Sequence, residues 1–466
     1  MKKTVIAGLI SVGLTIASLS HAQVSEAVNN SDEVTAIITT FLLDETTTSG
    51  DIFNVTNGND SGLGSLRQAL SENVSNISID SSVTTITIIE TLEYNSADTV
   101  QIVGLGEGQT IDGSRLPEDS DILSINQGAT FGIANLNFIG NIDEFNDDPN
   151  DPNNGTGIFV NVPNSRNGTV EVTLEDVSIS NVGSHGVHVS DCTVRDQCAE
   201  GQGSPASVSL TANNVTIDSV GIGRQDGDGI RLDERGEGNV SFVVQDSRFI
   251  NVGADGVELD EGDNGDITAN IDNSVFDSNG EFCNFADEIE NTPCDNDGDP
   301  DLDDGFDIDE IGAGSILVTI TNSQFINNSD EGLDFDEEDD GNIEITSTDS
   351  LFQNNEDQGI RASEEDDGNV EASLTRITVG ENNQEDEAIR VDEENDGDII
   401  VEIVDSIVLD EDTDNEGLRM DESGSGSGTL EIRNSNFTEF DLDNVCLLYT
   451  SPSPRDLSTS RMPSSA

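Results

Sequence analysis

The chain of 466 residues has no tryptophan, two tyrosines and few cations, with 17 lysines and arginines against 96 aspartates and glutamates. Beyond Lys2 and Lys3 it has no lysine. A formal net charge of −79 excludes binding of nucleic acid or an anionic membrane through the chain's own charge. After Leu19, no apolar stretch is long enough for a membrane-spanning helix. This much charge of one sign is typical of disordered chains, so a fold requires a regular apolar pattern.

Such a pattern is present as a motif of Gly, an apolar residue, a variable residue, another apolar residue, Asp and Glu. It returns seven times, with some substitutions, starting at Gly229, Gly256, Gly305, Gly332, Gly359, Ala388 and Gly417. Successive starts lie 27, 49, 27, 27, 29 and 29 residues apart, a regularity typical of a solenoid. The gap of 49 residues is one unit with an insertion of 22 residues (49 − 27), at about residues 278–303.

Within the motif, residues alternate with period two, which indicates a strand. Ile230 and Leu232 point to one side, and Arg231 and Asp233 to the other. A polar turn, a second alternating run and an Asp/Asn-Ser pair follow, and then a lone aromatic residue: Phe249, Phe276, Phe325, Phe352 and Phe437. Three short strands and three corners per unit predict an all-β chain, a parallel β-helix. The spacing and helical segment of a leucine-rich repeat are missing.

An Asn follows most of these aromatic residues, at Asn251, Asn279, Asn327 and Asn354. This is expected where a tight corner needs a left-handed residue, or where side chains form a ladder between coils. The apolar columns should then stack like on like, with Phe on one of the three walls.

Both ends of the chain differ from the repeats. Residues 1–22 combine two lysines, an apolar run and a small-residue end, which predicts a secretory signal peptide and therefore an extracellular, cell-surface or periplasmic protein. Residues 23–50 are predicted as a linker and 51–445 as the β-helix. Residues 446–466 begin Cys-Leu-Leu-Tyr-Thr-Ser and resemble a translated sequencing adapter, so we interpret them as a non-native tail that hides the native C-terminus.

The remaining four cysteines form two close pairs. In an exported chain this arrangement suggests the disulfides Cys192–Cys198 and Cys283–Cys294. Their spacings of six and eleven residues match no zinc pattern.

The segment Phe53–Leu70 contains Gly64-Ser-Leu-Arg-Gln-Ala and resembles the N-terminal cap of secreted bacterial proteins of the right-handed parallel β-helix (pectate-lyase-like) superfamily. The residues themselves predict a short helix capped by Ser65, with Leu66 and Leu70 on one face. The resemblance implies a right-handed β-helix and export. It implies little about function, because the superfamily holds lyases, hydrolases, adhesins and plain surface proteins.

Calcium is the cofactor that the acidic residues predict, at three places. The first is an outward ladder of Asp233, Asp260, Asp309, Asp336, Asp392 and Asp421, with Ser363 as a gap and a Glu after each position. In four coils an arginine should offset the repulsion between the carboxylates: Arg231, Arg361, Arg390 and Arg419. The cations are therefore expected at the coils with Glu258, Asp307 and Asp334. The second is the set of acidic corner loops, which includes Asp339. The third is the insertion, where Asp295, Asp297, Asp299, Asp301 and Asp303 alternate.

Signals for catalysis are thin, and no catalytic residue is assigned. Arg231 or Arg248 near Asp233 could imitate the basic residue of a pectate lyase, although Arg231 fits better as a counter-charge of the ladder. His185 and His188 share a strand face and are expected to face solvent.

Three functions remain open. The preferred one is a non-catalytic, exported structural or adhesive surface protein stiffened by Ca²⁺. The alternative is a carbohydrate-active enzyme, a polysaccharide lyase or hydrolase with its groove among residues 185–310. The third is a surface protein of a saline habitat whose charge only maintains solubility. A carbohydrate or cell-surface ligand is the expected partner, nucleic acid is not, and the oligomeric state stays open.

Overall fold

The computed structural model describes residues 52–117, 120–141, 155–191, 201–221, 227–280, 303–380, 387–409, 417–438 and 440–449. This part of the chain contains one helix and 36 strands, which pair in parallel with a strand of the preceding or following coil. The predicted parallel β-helix is thereby confirmed.

Twelve strands form one wall, which we call sheet B. In chain order these strands are β4 (Leu92–Tyr94), β7 (Leu123–Ile125), β9 (Ile158–Asn161), β11 (Val187–Ser190), β14 (Ile230–Glu234), β17 (Val257–Glu261), β20 (Asp307–Ile311), β23 (Asp334–Glu338), β26 (Ile360–Glu364), β29 (Ile389–Glu393), β32 (Leu418–Glu422) and β35 (Phe440–Asp443).

The other 24 strands form sheet A, which bends to make the two remaining walls. Its longer strands follow the corner after sheet B: β1 (Ile52–Val55), β2 (Asn76–Ile79), β5 (Val100–Gly104), β8 (Phe131–Ile139), β10 (Gly168–Ser180), β12 (Ala206–Asn213), β15 (Val240–Gln245), β18 (Ile267–Asp272), β21 (Ser315–Thr321), β24 (Asn342–Thr348), β27 (Asn369–Thr375), β30 (Asp398–Val404), β33 (Ser427–Arg433) and β36 (Val445–Tyr449). Its short strands lie beyond the bend: β3 (Thr85–Thr87), β6 (Thr110–Asp112), β13 (Thr216–Asp218), β16 (Arg248–Ile250), β19 (Val275–Asp277), β22 (Gln324–Ile326), β25 (Leu351–Gln353), β28 (Thr378–Gly380), β31 (Ile407–Leu409) and β34 (Asn436–Phe437).

The core is a continuous column, because alternate strand residues point inward and most of them are apolar. On the short wall Phe249, Phe276, Phe325 and Phe352 stack with ring centroids 4.9, 4.6 and 5.2 Å apart and interplanar angles of 20°, 10° and 7°. All four are fully buried. The predicted aromatic column is confirmed, with Phe437 partly buried at its far end.

The corners contain both a left-handed residue and a side-chain ladder between coils, as expected, at adjacent positions. The left-handed corner residues are Asn251, Ser278, Asn327 and Asn354, with φ of 54°, 61°, 60° and 60°. In the last three of these coils the next residue belongs to a buried amide ladder, in which Asn279 Nδ2 donates to Asn328 Oδ1 at 3.0 Å and Asn328 Nδ2 donates to Asn355 Oδ1 at 2.9 Å. Asn279 therefore belongs to the ladder, and Ser278 takes its corner.

The predicted short helix is present as α1 (Leu66–Ser71). The Ser65 side chain caps it by accepting a hydrogen bond from Gln68 N at 3.2 Å. Leu66, Ala69 and Leu70 are buried on the face that packs against β1, β2 and β4. The resemblance to a family cap stays a prediction.

Several predictions fall outside the described residues. These are the signal peptide, the linker, the four paired cysteines and most of the insertion. Cys446 is described as a free, exposed cysteine in β36, which pairs with β33, and the adapter interpretation stays a prediction. No helix in the described ranges is long and apolar enough to cross a membrane.

Candidate functional site

Three columns of polar residues run along the outer face of sheet B, the face turned away from the core, in the coils from β11 to β32. In-register pairing aligns the first two. The first column contains His188, Arg231, Glu258, Asp307, Asp334, Arg361, Arg390 and Arg419. The second contains Ser190, Asp233, Asp260, Asp309, Asp336, Ser363, Asp392 and Asp421. The third immediately precedes the Gly or Ala of each motif and contains His185, Asp228, Asp255, Asp304, Glu331, Gln358 and Glu387.

At β11 and β14 these columns form what we call the His-Arg cluster: His185, His188, Asp228, Arg231 and Asp233. His185 Nδ1 lies 3.0 Å from Asp228 Oδ2, and His188 Nε2 lies 2.5 Å from Asp233 Oδ2. The two imidazole centroids are 4.5 Å apart. Both histidines are fully buried, so the expectation that they face solvent is wrong. The register places His188 beside Arg231 of the next coil, and its imidazole reaches diagonally to Asp233.

Arg231 joins this cluster to the next coil. Its guanidinium donates to Asp233 Oδ1 at 2.9 Å, Glu258 Oε2 at 2.7 Å and Asp260 Oδ2 at 2.9 Å, and the residue is 7% exposed. Its predicted role as a counter-charge is confirmed. The expectation that Glu258 has no cationic partner is wrong, because the arginine side chain reaches across one coil. Arg248 lies exposed on β16, in sheet A, and takes no part.

The charges of the cluster keep its carboxylates ionised. Burial, the largest influence, raises the pKa of Asp228, but His185 and Arg231 outweigh it and the pKa is lowered. Burial likewise raises the pKa of Asp233, yet Arg231 and His188 hold it well below its ordinary value. A carboxylate that stays charged beside an imidazole orients the ring by accepting a hydrogen bond from it. The cluster therefore holds two paired acid-base groups.

Among the described residues, the central coils beside the cluster carry carboxylates with few counter-charges. We call this the acidic patch: Asp255, Glu258, Asp304, Asp307, Asp309, Glu331 and Asp334. Carboxylate oxygens of three residues lie within 4.8 Å of one another in several overlapping groups, among them Glu258 with Asp307 and Asp309, and Asp304 with Asp307 and Asp334. Arg361 reaches Asp334 from the coil beyond, which also corrects the expectation for that residue. Among the described residues Asp307 forms no ion pair.

The electrostatics of the patch reflect this shortage of cations. Burial first, and neighbouring carboxylates second, raise the pKa values of Asp304 and Asp307 well above the ordinary range. Burial and Asp336 raise the pKa of Asp334 to about 8, although Arg361 opposes them. For Glu331, burial and Asp334 raise the pKa to about 11. Charges on strands ~4.8 Å apart repel by about 3–4 kcal/mol at an effective dielectric of 20, so protons or cations must offset them.

The donor set suits a hard cation. Ca²⁺ takes six to eight oxygen ligands in flexible geometry, largely from carboxylates, and the patch offers closely spaced carboxylates without histidine or cysteine. Among the predicted metal residues, Asp309 belongs to such a group. Asp260 is instead paired with Arg231 and Arg235 at 2.9 and 2.8 Å.

The other predicted metal residues are dispersed. Asp336 and Asp392 are half-buried members of the second column, and they pair with Arg361 at 2.9 Å and Arg390 at 2.6 Å respectively. Asp339 is exposed at a corner with a φ of 89°. Asp303 is half-buried, and the predicted ligands Asp295, Asp297, Asp299 and Asp301 lie outside the described residues.

The glutamates after the ladder positions face the core. The prediction placed these glutamates next to the outward ladder. Neighbouring residues of a strand point to opposite faces of the sheet, so the glutamates point inward. This glutamate column is at most 2% exposed in every coil and contains Glu234, Glu261, Glu310, Glu337, Glu364, Glu393 and Glu422.

Two functional features were missed at the level of sequence. The third column could have been found by extending the motif one residue toward the N-terminus, because Asp, Glu or Gln precedes the motif each time. The histidines could have been aligned with it, since Gly186-Val-His-Val-Ser matches Gly229-Ile-Arg-Leu-Asp. Their burial was not visible, since it depends on packing between coils.

A separate polar groove of about 240 Å³ runs along the bend of sheet A. Its lining includes Glu107, Asn137, Asp176, Ser178 and Thr216. Such side chains can hydrogen-bond saccharide hydroxyls, but the groove has no histidine or arginine, and the acid-base groups lie on the outer face of sheet B.

No family model and no curated protein matches the chain. Solved structures do match. The A-module of mannuronan C-5 epimerase AlgE4 from Azotobacter vinelandii is 14% identical, with a TM-score of 0.45, over 87% of this chain and 98% of that one. The AlgE6 A-module from the same organism is 12% identical, with a TM-score of 0.44, over 86% and 100%. A variant of the periplasmic alginate epimerase AlgG is 10% identical, with a TM-score of 0.39, over 85% of each chain. Identities and TM-scores this low say nothing about the chemistry of the outer face.

Proposed function

We propose that this protein is an exported, carbohydrate-active β-helix protein that acts on an acidic polysaccharide at the outer face of sheet B. The observation behind the proposal is the direct contact between the His-Arg cluster and the acidic patch. Glu258 belongs to the patch and accepts from Arg231 at 2.7 Å. Acid-base groups and a candidate cation site are thereby one coil apart.

The histidines mark a chemical departure from the repeat. The chain has three histidines in all, and the third, His21, lies in the predicted signal peptide. In the described coils after β17, the corresponding columns carry carboxylates, arginines and Gln358. A purely structural ladder has no need of this change, whereas proton transfer at neutral pH calls for a group such as imidazole.

The residues suit removal of a proton next to a carboxylate. When bound, Ca²⁺ would neutralise the uronate carboxylate of the polymer and so acidify the neighbouring C–H bond. His188 is fully buried, so the polymer would first have to displace the side chains that cover it. His188, oriented by Asp233, would then accept that proton, and Arg231 would hold the developing negative charge. The protonated imidazole could then give the proton to the oxygen released when the adjacent glycosidic C–O bond breaks, which is elimination. Epimerisation would instead need a proton delivered from solvent to the opposite face of the carbon.

The test is an activity panel on the full chain with polygalacturonate, alginate, hyaluronan and neutral dextran, with CaCl₂ or EDTA. Elimination is followed by ultraviolet absorbance of the unsaturated product, hydrolysis by reducing ends, and epimerisation by proton exchange in D₂O. Mannuronan and alginate appear in the names of the distant solved structures, and alginate is included for that reason. We expect Ca²⁺-dependent activity on a uronate polymer and none on dextran.

The variant His188→Gln keeps a polar side chain of similar size but cannot take up the proton, and should lower activity by about 10²–10⁴-fold. The matched control is Arg390→Gln, in the same column, where the arginine pairs with Asp392 at 2.6 Å. It should leave activity unchanged. Inactivity of the wild-type chain on every polymer, or full activity of His188→Gln, would refute the proposal.

A second candidate is a non-catalytic surface or adhesive protein stiffened by Ca²⁺. The observation that favours it is the acidic patch, where the pKa of Asp334 is raised to about 8 and that of Glu331 to about 11. A cation on the outer face would relieve this repulsion and rigidify consecutive coils.

Thermal unfolding separates this candidate from a mere solubility effect. The chain is melted in EDTA, in CaCl₂, and in MgCl₂ or NaCl at matched ionic strength. A Ca²⁺-specific rise in Tm together with inactivity on the polymer panel would support the structural function. Equal stabilisation by all three salts would eliminate it and leave the carboxylates as a solubility device.

A further inference from the structure

The polar groove along the bend of sheet A is a cavity that the proposed function does not use. It has a volume of about 240 Å³. It follows the bend itself, where Asn135, Asp176 and Asn214 take left-handed φ angles of 55°, 53° and 52°. The groove lies on a different wall from the His-Arg cluster, and none of the groups proposed for catalysis lines it.

One side of the groove is a column of short polar side chains, which we call the groove column: Asn137, Ser178 and Thr216. In-register pairing places them next to one another on the outer face of β8, β10 and β13. All three are half-buried, and their side chains make no hydrogen bond within the described part of the chain. Hydroxyl and carboxamide groups both donate and accept, as the hydroxyls of a sugar do. The only apolar side chain in the lining, Val177, is 2% exposed, so an apolar ligand would find little to contact.

The turn between β5 and β6 forms the end of the groove nearest the N-terminus, with residues 106–108. Gln109 holds this turn from inside the solenoid. Its Oε1 accepts from Gly106 N at 2.7 Å, and its Nε2 donates to Val83 O at 2.6 Å and to Asp80 O at 3.0 Å. Gln109 is 2% exposed. This end of the groove is therefore fixed before a ligand arrives, which lowers the ordering cost of binding.

At the opposite end the groove column continues to Arg248. This residue pairs with Thr216 from the next strand, β16, and so lies one strand spacing of ~4.8 Å further along the same face. Its side chain is exposed, and no described carboxylate pairs with it, in contrast to Arg231 and Arg376. One coil beyond, the column becomes apolar at Val275. A guanidinium at the end of a polar groove suits a carboxylate, which it can bind with two parallel hydrogen bonds.

We propose that this groove binds an oligosaccharide in which a uronate unit adjoins neutral sugar units, with the uronate carboxylate on Arg248. The hydroxyls of the neutral units would lie along the groove column. Glu107 and Asp176 also line the groove, so a carboxylate on every unit of the ligand would be repelled there. The lining comes from four consecutive coils, a length of about three strand spacings or ~14 Å, which suits a ligand of a few units.

The experiment titrates the full chain with a hyaluronan tetrasaccharide, in which uronate and neutral units alternate, and follows the ligand by NMR in EDTA. EDTA removes Ca²⁺ from the outer face of sheet B, so the binding measured there is suppressed. Arg248→Gln should raise Kd about 10–100-fold, because hydrogen bonds to a charged group are lost. Thr216→Val keeps the shape but removes a hydroxyl, and should raise Kd about 3–10-fold.

The matched control is Arg376→Gln, at an exposed arginine of sheet A that pairs with Asp349 at 2.6 Å. It should bind the tetrasaccharide like wild type. Chitotetraose, which has no carboxylate, should bind the wild-type chain less tightly by the same factor as Arg248→Gln loses. Absence of binding to the wild-type chain, or equal affinity of wild type and Arg248→Gln, would overturn the proposal.

A second measurement uses the wild-type chain alone. The tetrasaccharide should slow amide hydrogen exchange in residues 106–108 and in β13, whereas protection confined to β11, β14 and β17 would overturn the inference. Both readouts are made without Ca²⁺ and without turnover. Their failure would therefore leave the proposed reaction at sheet B standing, and inactivity on the polymer panel would leave this groove standing.

Discussion

Replacing Arg231 by Met tests how far one buried arginine holds two coils together. The side chain is 7% exposed and donates to Asp233, Glu258 and Asp260 at 2.9, 2.7 and 2.9 Å. Methionine keeps most of the volume but removes the positive charge, so that Glu258 loses its arginine, while Asp233 keeps only His188 and Asp260 only Arg235. Breaking a buried ion pair in this way costs about 3–5 kcal/mol, so we expect a loss of that size in the free energy of unfolding.

The control is Arg376→Met. Arg376 forms a two-pronged pair with Asp349 at 2.6 and 2.7 Å, but both side chains are exposed. Solvent screens such a pair, so its loss should change stability little. Comparison of the two variants isolates burial, because the residue change is the same.

Urea unfolding followed by circular dichroism measures the cost, in EDTA so that bound Ca²⁺ does not mask it. A solenoid can unfold in parts, and amide hydrogen exchange should therefore show the loss concentrated in β11, β14 and β17. The pKa values of Asp228 and Asp233 are lowered in the folded chain. The contribution of Arg231 to the free energy of unfolding is therefore fully present above the pKa that these carboxylates have in the unfolded chain. It is lost as the pH falls through the lower pKa that they have in the folded chain. Equal stability of the two variants at pH 7 would refute the reasoning.

The glutamate column predicts the opposite pH dependence in EDTA. The pKa values of Glu310 and Glu337 are raised from 4.5 to about 8 in the folded chain. Their contribution to the free energy of unfolding is therefore fully present below pH 4.5 and is lost as the pH rises through 8. Tm measured from about pH 5 to 9 should fall, and a flat profile would contradict this. Phe325→Ala should cost about 3–5 kcal/mol in urea unfolding, because the ring is stacked on both sides within a filled core; a cost below that of an ordinary surface change would show that the aromatic column is loosely packed. Gly341→Ala should lower Tm more than Gly380→Ala, because its Cβ overlaps a backbone carbonyl and the Glu337 carboxylate whereas that of Gly380 only touches Leu409 O; equal melting would contradict the close approach.

The fold was predictable because each repeat shows the same alternation of apolar and polar residues. Each unit shows the same parity, so Ile230 and Leu232 point inward in the structure as their alternation predicts. Phe276 and Phe325 stack although 49 residues separate them. In-register parallel pairing follows once the wall is identified, since a slip of one residue would turn every apolar side chain outward.

The site was less predictable, because reach and burial depend on coils that are neighbours in space. The ladder and its register were correctly predicted, but an arginine side chain is long enough to serve the adjacent coil, as Arg231 does for Glu258. The alternation of residues along a strand predicts that Glu310, next to the outward Asp309, points to the core. An apolar interior, however, disfavours a charged side chain there. The prediction did not include the free-energy cost of burying these carboxylates.

Repetition also explains where a function can be recognised in this chain. The strands of sheet B pair in continuous register from β14 to β32, and their outward positions hold arginine, carboxylate or serine without any histidine. The change to His185 and His188 sits one coil before Arg231, and the long insertion follows β19, two coils later. Two departures from the repeat thus flank the same strands, β14 and β17. Selection for solubility or stiffness alone would distribute carboxylates evenly along the solenoid, whereas a ligand of finite length interacts with a few adjacent coils. The clustering of both departures around Arg231 and Glu258 is therefore what a localised site on an otherwise uniform surface predicts.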